Sequence, residues 1–441
     1  MCRARALVAR RRTVGSSETT RTRTAGGLSG AGTTTPAPYP PRPQRRARPA
    51  GAYGAAVDPR CYLDTAAAWP LRPEAADAWR DAAQVAWADP DRRHAEGRAA
   101  RELLDRATAA TAASLGVTDR DLVWTSGGTE AIDLAVAGSA AAAERRGARR
   151  HHLVVSAVEH SAVLRAAERL RDASGYELSV VPVDAAGTVD PDAVAAVVRD
   201  DTLAVHLQHA NHEVGTIQPV FDVAAVCRRV GALLHVDACQ TVGQLGLTVP
   251  GLGADLLSAS AAKFGGPHGV GVLALGERGR VDARLVGDER QGRRRAGAPD
   301  VPGIAAAAVA LQVALAAAPS ERSARELVRR HLRARLPEVV DDVAVHGPLA
   351  DAHPGIVAAS ALYVDGEALV AELDTAGFAV HSGSSCATTT GEPSHVLTAM
   401  GVLTHGHVRL SPGPDVTVAD ADRFLDAYAA SVRRLRAVVG R

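Results

Sequence analysis

The sequence predicts an α/β fold: a large domain with a mainly parallel sheet flanked by helices, followed by a smaller C-terminal α+β domain. From Tyr62 onward, short β-branched and apolar runs alternate with amphipathic, Ala-rich stretches of helical length. The apolar runs are continuous, which is typical of parallel strands covered on both faces. After an Ala-rich helix near Gly303–Ala317 the pattern changes, so the second domain is expected to follow it.

Residues 1–57 differ from the rest of the chain. They are rich in Arg, Thr, Pro and Gly, contain almost no acidic residue and show no apolar periodicity, so we predict a disordered tail. Such a tail is typical of a transit peptide, and it also arises when a start codon is assigned too early. The Pro-rich run Pro36–Pro43 suits no amphipathic targeting helix and favours the second explanation.

The large domain, with an N-terminal arm, is predicted over residues 58–317. Its expected strands are Leu122–Thr125, His152–Ser156, Leu178–Val183, Leu203–Leu207, Leu233–Val236, Leu256–Ser258 and Val270–Leu273. Its expected helices are Arg98–Leu115, Thr129–Arg145, Ser161–Ala173, Pro191–Val198 and Val220–Val230. In a sheet of this kind, ligands bind where the parallel strands end.

The smaller domain is predicted over residues 318–441. Strands are expected near Ile356–Val364 and at His407–Leu410, and a helix over Ala419–Val438 closes the chain. No continuous apolar run approaches the roughly 18 residues of a membrane-spanning helix. We therefore expect no membrane association.

Composition argues against several classes of function. The net charge of the 441-residue chain is +1, which gives no reason to expect direct binding to nucleic acid. The five cysteines are odd in number and show no CxxC spacing, which argues against a disulfide framework and a zinc site. We expect a cytoplasmic protein without a bound metal. The cysteines are Cys2, Cys61, Cys227, Cys239 and Cys386.

One lysine, Lys263, stands among 49 arginines. Arginine serves as a surface cation, but it cannot form an imine with an aldehyde because its guanidinium stays protonated. Chance survival of a surface lysine is the alternative explanation. Lys263 follows a predicted strand and precedes Phe-Gly-Gly-Pro, and a Gly-rich turn lets backbone approach a ligand closely. This neighbourhood favours a chemical role.

Further polar motifs follow other predicted strands. Asp237 suits a carboxylate that keeps a pyridine nitrogen protonated, with a helix N-cap as the alternative. Gly128 and Thr129, in the motif TSGGTE, offer donors to a phosphate at a helix start, with a plain capped helix as the alternative. His160 alone is more typical of a structural histidine. Together these residues meet the demands of pyridoxal 5'-phosphate (PLP), with Lys263 holding its aldehyde as an imine.

The order and spacing of these motifs resemble the class V aminotransferases of PLP fold type I. The chain carries TSGGTE, EH, N-x-E-x-G, HVDACQ and SxSxxK in that order, and the resemblance runs from about Tyr62 to the C-terminus. It implies PLP as the cofactor and a homodimer with the site at the subunit interface. The contacts it implies are Asp237 to the pyridine nitrogen, Gln240 to the ring hydroxyl, His160 stacked on the ring, and Thr129 and Ser260 to the phosphate.

The C-terminal part resembles the cysteine desulfurases in particular. The run from His381 to Leu397 is similar to their active-site cysteine loop, and its small, polar residues suit a mobile, accessible thiolate on Cys386. An incidental loop cysteine is the alternative. Arg409, in VRLSPG, is similar to the arginine that binds the substrate carboxylate. The segment Tyr62–Asp64 also matches the family.

Three positions depart from the family pattern. His212 stands where a second Asn normally contacts the PLP ring, and its ring is able to hydrogen-bond the cofactor hydroxyl as Asn does. Ala262 replaces the usual His before the lysine, and Ala298 replaces a Thr that reaches the phosphate from the partner subunit. Each lost donor weakens cofactor retention by on the order of 1–3 kcal/mol if it is uncompensated.

The resemblance implies a cysteine desulfurase that converts L-cysteine to L-alanine. Lys263 is expected to move the Cα proton, His160 to handle the thiol proton, and Cys386 to carry the sulfur as a persulfide. The sulfur then passes to an acceptor protein, such as an iron–sulfur scaffold or a tRNA-thiolation carrier. Two alternatives stay open: another class V PLP enzyme of specialised metabolism (an aminotransferase, C–S lyase or epimerase), and a non-catalytic PLP-fold binding partner.

Overall fold

The computed structural model describes residues 60–383 and 393–440, and its elements are numbered in chain order. The strands are β1 (Cys61–Tyr62), β2 (Leu122–Thr125), β3 (His152–Ser156), β4 (Glu177–Val181), β5 (Thr202–Gln208), β6 (Leu233–Asp237), β7 (Leu256–Ser260), β8 (Gly271–Leu275), β9 (Val343–His346), β10 (Val357–Ala361), β11 (Phe378–Ala379) and β12 (His407–Leu410). The helices are α1 (Pro73–Val85), α2 (Ala95–Leu115), α3 (Gly128–Asp133), α4 (Ser139–Arg145), α5 (Ser161–Ser174), α6 (Pro191–Val197), α7 (Val220–Val230), α8 (Val249–Leu252), α9 (Arg290–Arg293), α10 (Val301–Val339), α11 (Gly366–Thr375), α12 (His395–Met400) and α13 (Val418–Val438).

Seven strands form the central sheet, in the order β2-β8-β7-β6-β5-β3-β4. Strand β8 runs antiparallel to both of its neighbours, and the other pairs are parallel. The predicted fold class, a mainly parallel sheet flanked by helices, is therefore confirmed. Because parallel strands end at the same edge, the last residues of β5, β6 and β7 meet there, namely Gln208, Asp237 and Ser260.

Helices cover both faces of this sheet, which is why its strands are apolar on both sides. On one face α1, α2, α7 and the first half of α10 enclose a core that includes Leu104, Val205 and Leu311. On the other face α3, α5 and the residues between α3 and α4 enclose a second core around Val136 and Val155. The predicted helix Thr129–Arg145 is interrupted by a π-helical turn between α3 and α4.

Helix α10 is much longer than the helix predicted at Gly303–Ala317, and the predicted domain boundary at residue 317 falls inside it. It passes through Pro319 without ending, although a proline removes one backbone hydrogen bond from a helix interior. By length and composition alone α10 is able to span a membrane, but more than half of its apolar stretch is buried inside the protein. This burial is typical of a core helix.

Three buried arginines, spaced four residues apart, hold the second half of α10 in place: Arg325, Arg329 and Arg333. Arg329 and Arg333 donate to backbone carbonyls at and just after the end of β9. Arg325 donates to Oε1 of Gln244 at 2.7 Å. These bonds explain why α10 continues beyond the length that its apolar pattern predicts.

The smaller sheet is antiparallel, in the order β12-β10-β9. Helices α11 and α13 pack on it around a core that includes Leu369 and Phe424. Strand β1 pairs in parallel with β11, so Leu63 of the N-terminal arm packs into this core as well. The arm thus runs from the smaller sheet towards the central one.

The remaining predicted helices and strands agree with the observed ones to within a few residues at each end.

Candidate active site

A pocket with a cavity volume of about 260 Å³ lies at the edge where the parallel strands end. Every predicted site residue that the structure describes is part of its lining: Gly128, Thr129, His160, His212, Asp237, Gln240, Ser260, Lys263 and Arg409. Cys386 lies outside the described residues. Gly383 and His395 lie on either side of the cysteine segment, residues 384–392, and line the same pocket.

Lys263 ends the 3₁₀ turn that follows β7. Its Nζ donates hydrogen bonds to the carbonyl oxygens of Ala66, at 2.7 Å, and Ala67, at 2.6 Å. Burial lowers the pKa of the ammonium group from its ordinary value, because the charged form loses hydration. A larger fraction of neutral amine, the form that attacks an aldehyde, is therefore present near neutral pH.

Asp237 is the last residue of β6, and its side chain is buried in the pocket lining. Its Oδ1 accepts hydrogen bonds from the backbone nitrogen of Cys239, at 3.0 Å, and from Oγ of Ser258, at 3.3 Å. A buried carboxylate is stable when it is hydrogen-bonded and faces a cationic partner. A protonated pyridine nitrogen is such a partner.

The turn from β2 into α3 forms the glycine-rich side of the pocket. Gly127 has φ +152° and ψ 179°, a conformation that residues with a side chain rarely adopt. A Cβ on Gly128 would lie 2.7 Å from Sγ of Cys239, so any larger residue there requires the surrounding atoms to shift. Within the described part of the chain, no side chain caps the start of α3. The free N–H groups, with Thr129 and Ser260 beside them, suit a phosphate.

His160 caps the N-terminus of α5 and also lines the pocket. Its Nδ1 accepts from the backbone nitrogen of Ala162 at 3.1 Å, so the neutral ring carries its proton on Nε2. Burial lowers the pKa of this imidazole. One ring nitrogen caps the helix, as the structural explanation predicts, and the ring also lines the pocket, where the functional explanation requires it.

His212 lies next to His160, with ring centroids 5.2 Å apart and an edge-to-face orientation. Burial lowers its pKa well below the ordinary value, so the ring is neutral. Its Nδ1 is buried and has no hydrogen-bond partner among residues 60–383 and 393–440. The adjacent Glu213, whose pKa burial raises to about 7, accepts from Oγ of Ser394 at 2.5 Å.

Arg409 extends from β12 of the smaller sheet into the pocket. One Nη donates to Oδ1 of Asp64 at 2.7 Å, and the other donates to the carbonyl oxygen of His212 at 3.0 Å. Its Nε is buried without a partner in the part of the chain that the structure describes. The guanidinium is therefore held in one orientation with donor capacity left over, which suits a bound carboxylate.

Gln240 completes the arrangement. Its Nε2 donates to the carbonyl oxygen of Ala66 at 2.9 Å, while Oε1 is buried and unpaired among the described residues. An unpaired buried acceptor is energetically unfavourable, and the ring hydroxyl of PLP is a donor of the right kind. The unpaired acceptor of Gln240, the close-packed Gly128 turn, the buried Asp237 and the partly buried Lys263 all fit this cofactor.

Several pocket residues were not predicted from the sequence. The carbonyl groups of Ala66 and Ala67, which hold the Lys263 amine, belong to a backbone segment far away in sequence. His395 also lines the pocket and hydrogen-bonds to the carbonyl oxygen of Glu159 at 2.9 Å. A sequence signal did exist for Asp64, in the matched Tyr62–Asp64 segment, but it did not indicate the ion pair with the pocket arginine.

The fold and the pocket together define a PLP-dependent enzyme of fold type I. The family model described as aminotransferase class-V matches residues 61–424. This chain belongs to the class V aminotransferase family.

Relatives with known names cover nearly the same part of the chain. Cysteine desulfurase IscS of Dictyoglomus turgidum is 34% identical over 380 residues, which are 86% of this chain and 95% of that protein. Cysteine desulfurase of Cereibacter sphaeroides is 36% identical over 383 residues, which are 86% of this chain and 97% of that protein. Among solved structures, a NifS-like protein has a TM-score of 0.78 at 28% identity, covering 85% of this chain and all of that one. DndA from Streptomyces lividans has a TM-score of 0.67 at 29% identity, covering 82% of this chain and all of that one.

Proposed function

We propose that this chain is a PLP-dependent cysteine desulfurase, which converts L-cysteine to L-alanine and transfers the sulfur to Cys386. The observation that carries the proposal is the convergence of the only lysine, the buried Asp237 and the Arg409 guanidinium on one pocket, whose lining continues to both ends of the cysteine segment. PLP supplies an electron sink for the bond changes at the substrate's Cα and Cβ. Lys263, Asp237, Gln240, Thr129 and Ser260 hold it.

Arg409 binds the carboxylate of L-cysteine. The ion pair with Asp64 holds the plane of the guanidinium, so little side-chain freedom is lost when the substrate docks. Lys263 then moves the proton at Cα. Its lowered pKa favours the neutral amine, and a neutral Nζ is able to accept this proton near neutral pH.

The two neutral imidazoles lie where the substrate side chain has to enter. His160 carries its proton on Nε2 and exchanges it with the substrate thiol. His212, whose buried Nδ1 is unpaired among the described residues, lines the same pocket and hydrogen-bonds the ring hydroxyl or the substrate. Neutral rings are suited to this task because they both donate and accept protons.

Cys386, as a thiolate, attacks the sulfur of the substrate. The new S–S bond forms as the Cβ–S bond breaks, so L-cysteine and one thiol become L-alanine and one persulfide, with no outside oxidant or reductant. A sulfur-acceptor protein, such as an iron–sulfur scaffold or a tRNA-thiolation carrier, removes the sulfur. We further propose a cytoplasmic homodimer. In this dimer Ala298 stands where the family has a Thr, so it donates no hydroxyl to the phosphate bound in the partner subunit.

The test is the release of alanine and sulfide from L-cysteine in the presence of a reductant, with wild type compared with Cys386→Ser. Equal amounts of both products from wild type, abolished by the substitution, are expected. PLP-loaded wild type that releases no alanine would contradict the proposal. The loss of PLP absorbance in Lys263→Ala is the control for cofactor attachment, and it separates an enzyme from a non-catalytic binding protein.

His212, where the family has Asn, favours a second candidate within the same class: an aminotransferase, C–S lyase or epimerase. A buried imidazole in place of an amide changes both the size and the hydrogen bonding of the substrate space. The comparison with Cys386→Ser distinguishes the two. The second candidate keeps its activity on its own substrate when Cys386 is replaced, because no sulfur has to be carried.

A further inference from the structure

A line of hydrogen-bonded side chains runs from Asp237 into the sheet, away from the pocket. Oγ of Ser258 lies 3.3 Å from Oδ1 of Asp237 and 3.1 Å from Nε2 of His235. Nδ1 of His235 lies 3.1 Å from Nδ1 of His206. Ser258, His235 and His206 have no exposed surface. We call these four residues the Asp237 relay.

The strand register creates the relay. His206 on β5 pairs with His235 on β6, and Asp237 pairs with Ser258 on β7. Since side chains alternate along a strand, His235 and Asp237 point to the same face of the sheet. The neighbouring positions on this face belong to the apolar core around Val155, beneath α3 and α5. The relay is therefore a polar ladder across three strands in apolar surroundings.

The two ends of the relay determine which atom donates and which accepts in each of its hydrogen bonds. Hydrogen bonding stabilises the Asp237 carboxylate if the Ser258 hydroxyl donates to it, so Ser258 accepts from Nε2–H of His235. Nδ1 of His235 is then bare and accepts from Nδ1–H of His206. This leaves Nε2 of His206 as a bare lone pair, and that atom is indeed without a partner in the described ranges.

The reverse direction is unfavourable at both ends. It would bury an unpaired N–H on His206, which is less well tolerated than an unpaired acceptor, and it would turn the Ser258 hydroxyl away from the carboxylate. Both rings are neutral, because burial lowers the pKa of His206 to about 4 and that of His235 well below its ordinary value. The relay therefore acts through its dipoles.

Two further buried titratable groups near Asp237, Glu159 and Cys239, are uncharged. Burial raises the pKa of Glu159 to about 8 and raises that of the Cys239 thiol well above its ordinary value, so both are protonated near pH 7. On the pocket side, Lys263 and His160 interact with the same carboxylate. On the sheet side, the described residues that hydrogen-bond to it are Ser258 and Cys239, the latter through both its backbone nitrogen and its thiol, which also hydrogen-bonds to Ser258.

We propose that His235 and His206 are positioning residues for the cofactor: they lock the Ser258 hydroxyl onto Asp237 and so hold this carboxylate in the orientation that binds the protonated ring nitrogen of PLP. His206 sets the proton position on His235, and His235 sets the orientation of Ser258. The inference depends on PLP as the cofactor and on the role of Asp237, but not on sulfur transfer. It therefore stands or falls separately from the proposed desulfurase activity.

The first test reads the proton positions directly. In PLP-loaded protein labelled with ¹⁵N-histidine, NMR shows which ring nitrogen of each histidine carries the proton, and substitutions assign the signals of His206 and His235. We expect His206 protonated on Nδ1 and His235 on Nε2, with neither signal changing between about pH 6 and pH 9. A proton on Nε2 of His206 or on Nδ1 of His235 would overturn the proposal.

The second test measures how well the loaded protein retains PLP. His206→Leu removes the donor to His235, and we expect the rate of PLP loss during dialysis to rise about fivefold. His152→Leu is the matched control, since His152 is also buried in the sheet and hydrogen-bonds hydroxyls of Thr202, at 2.8 Å, and Ser179, at 2.9 Å, without reaching Asp237. We expect this control to retain PLP as wild type does.

His206→Asn distinguishes a positioning role from a packing role. Its side-chain amide offers an N–H close to the place of Nδ1, so we expect PLP retention near that of wild type. Equal PLP loss from His206→Leu and His152→Leu, or no rescue by Asn, would show that the histidines only fill space. If His206→Leu does not fold, the NMR measurement and His206→Asn still decide the matter.

Discussion

Ionisable residues around the pocket have pKa values shifted towards their neutral forms, and burial is the first cause in each case. The pKa falls for Lys263, His160 and His212, and it rises for Glu159 and Glu213. Desolvation thus raises the neutral fraction of the Lys263 amine and of the two imidazoles, beside the ion pair of Arg409 and Asp64. Such an arrangement is typical of a site that moves protons near neutral pH.

Glu159 makes the stability of the protein depend on pH. An unfolded glutamate ionises near its ordinary value of 4.5, whereas burial raises the folded value to about 8. The stabilising contribution is full below pH 4.5 and is lost as the pH rises towards 8. Glu159→Gln keeps an acceptor for Oγ of Ser156 and the backbone of Gln208 but does not titrate.

Between pH 5 and pH 8 we therefore expect the free energy of unfolding of wild type to fall by roughly 3 kcal/mol more than that of Glu159→Gln. Urea unfolding at a series of pH values measures this difference. Glu168→Gln, on the surface of α5, is the control for the loss of a carboxyl group. Parallel pH curves for wild type and Glu159→Gln would contradict the raised pKa.

Arg409 offers a second test at the scale of one residue. Lysine preserves the charge but loses the planar pair of donors, so for Arg409→Lys we expect the KM for L-cysteine to rise at least about tenfold, with a smaller effect on kcat. Steady-state alanine release gives both constants. Arg434→Lys, in the exposed pair with Glu372, is the matched control and leaves both constants unchanged. An unchanged KM for Arg409→Lys would exclude the proposed carboxylate contact.

At this scale the sequence predicts side chains better than the contacts between them. Lys263 and Asp237 are recognisable because each has a chemical requirement and follows an apolar strand. The carbonyl oxygens of Ala66 and Ala67 cannot be recognised in this way, because every residue type supplies the same carbonyl group. Only the path of the N-terminal arm brings them to the Lys263 amine. The role of His206 cannot be predicted from the sequence for a related reason, because the strand register determines which residue of β6 lies next to it.

Among the elements, the turn between β2 and α3 is closely packed beside the pocket. Gly127 and Gly128 follow each other there, and a Cβ on Gly271 of β8 would overlap the backbone of Gly127. The close approach of β8 holds the start of α3 against the pocket. A glycine motif that carries little information in the sequence is therefore specific in the structure, because the backbone of β8 and the side chains of Cys239 and Ser260 pack against it.

Gly128→Ala tests this turn. The new Cβ would lie 2.7 Å from Sγ of Cys239, so we expect α3 to shift and the affinity for PLP to fall by at least about tenfold. The double variant Gly128→Ala with Cys239→Ala removes the sulfur and is expected to recover most of that loss. Cofactor titration of each variant measures it, with Cys239→Ala alone as the control. Equal affinities of wild type and Gly128→Ala would contradict the tight fit.

Periodic apolar runs explain why most helices and strands were predicted close to their observed bounds. The exceptions are elements that long-range contacts maintain. Helix α10 continues past Pro319 because the buried Arg325, Arg329 and Arg333 donate to distant backbone carbonyls, and such bonds leave no periodic signal. The π-helical turn after α3 likewise does not alter the apolar pattern of the predicted helix.

For the whole molecule, the sequence predicts the class of fold but not the order of the strands. Alternating strands and helices indicate a parallel sheet, whereas the insertion of β8 between β2 and β7 depends on contacts across the chain. Contacts across the chain also determine how the smaller sheet is placed beside the pocket. Arg325 of α10 bonds to Gln244, which in turn donates to the carbonyl oxygen of Lys263 at 2.8 Å, so the second half of α10 is coupled to the lysine turn.

The confinement of the only lysine to a buried turn has an electrophoretic consequence. The remaining basic side chains are arginines, apart from the histidines, and guanidinium groups stay charged in the range where an ordinary protein surface loses its ammonium charge, about pH 9 to 11. Surface pairs such as Arg145 with Asp282 keep both charges over that range. The mobility of this protein in an electric field therefore changes little there, with only tyrosine and cysteine left to titrate, and burial moves the pKa of Tyr176 and Tyr428 higher still.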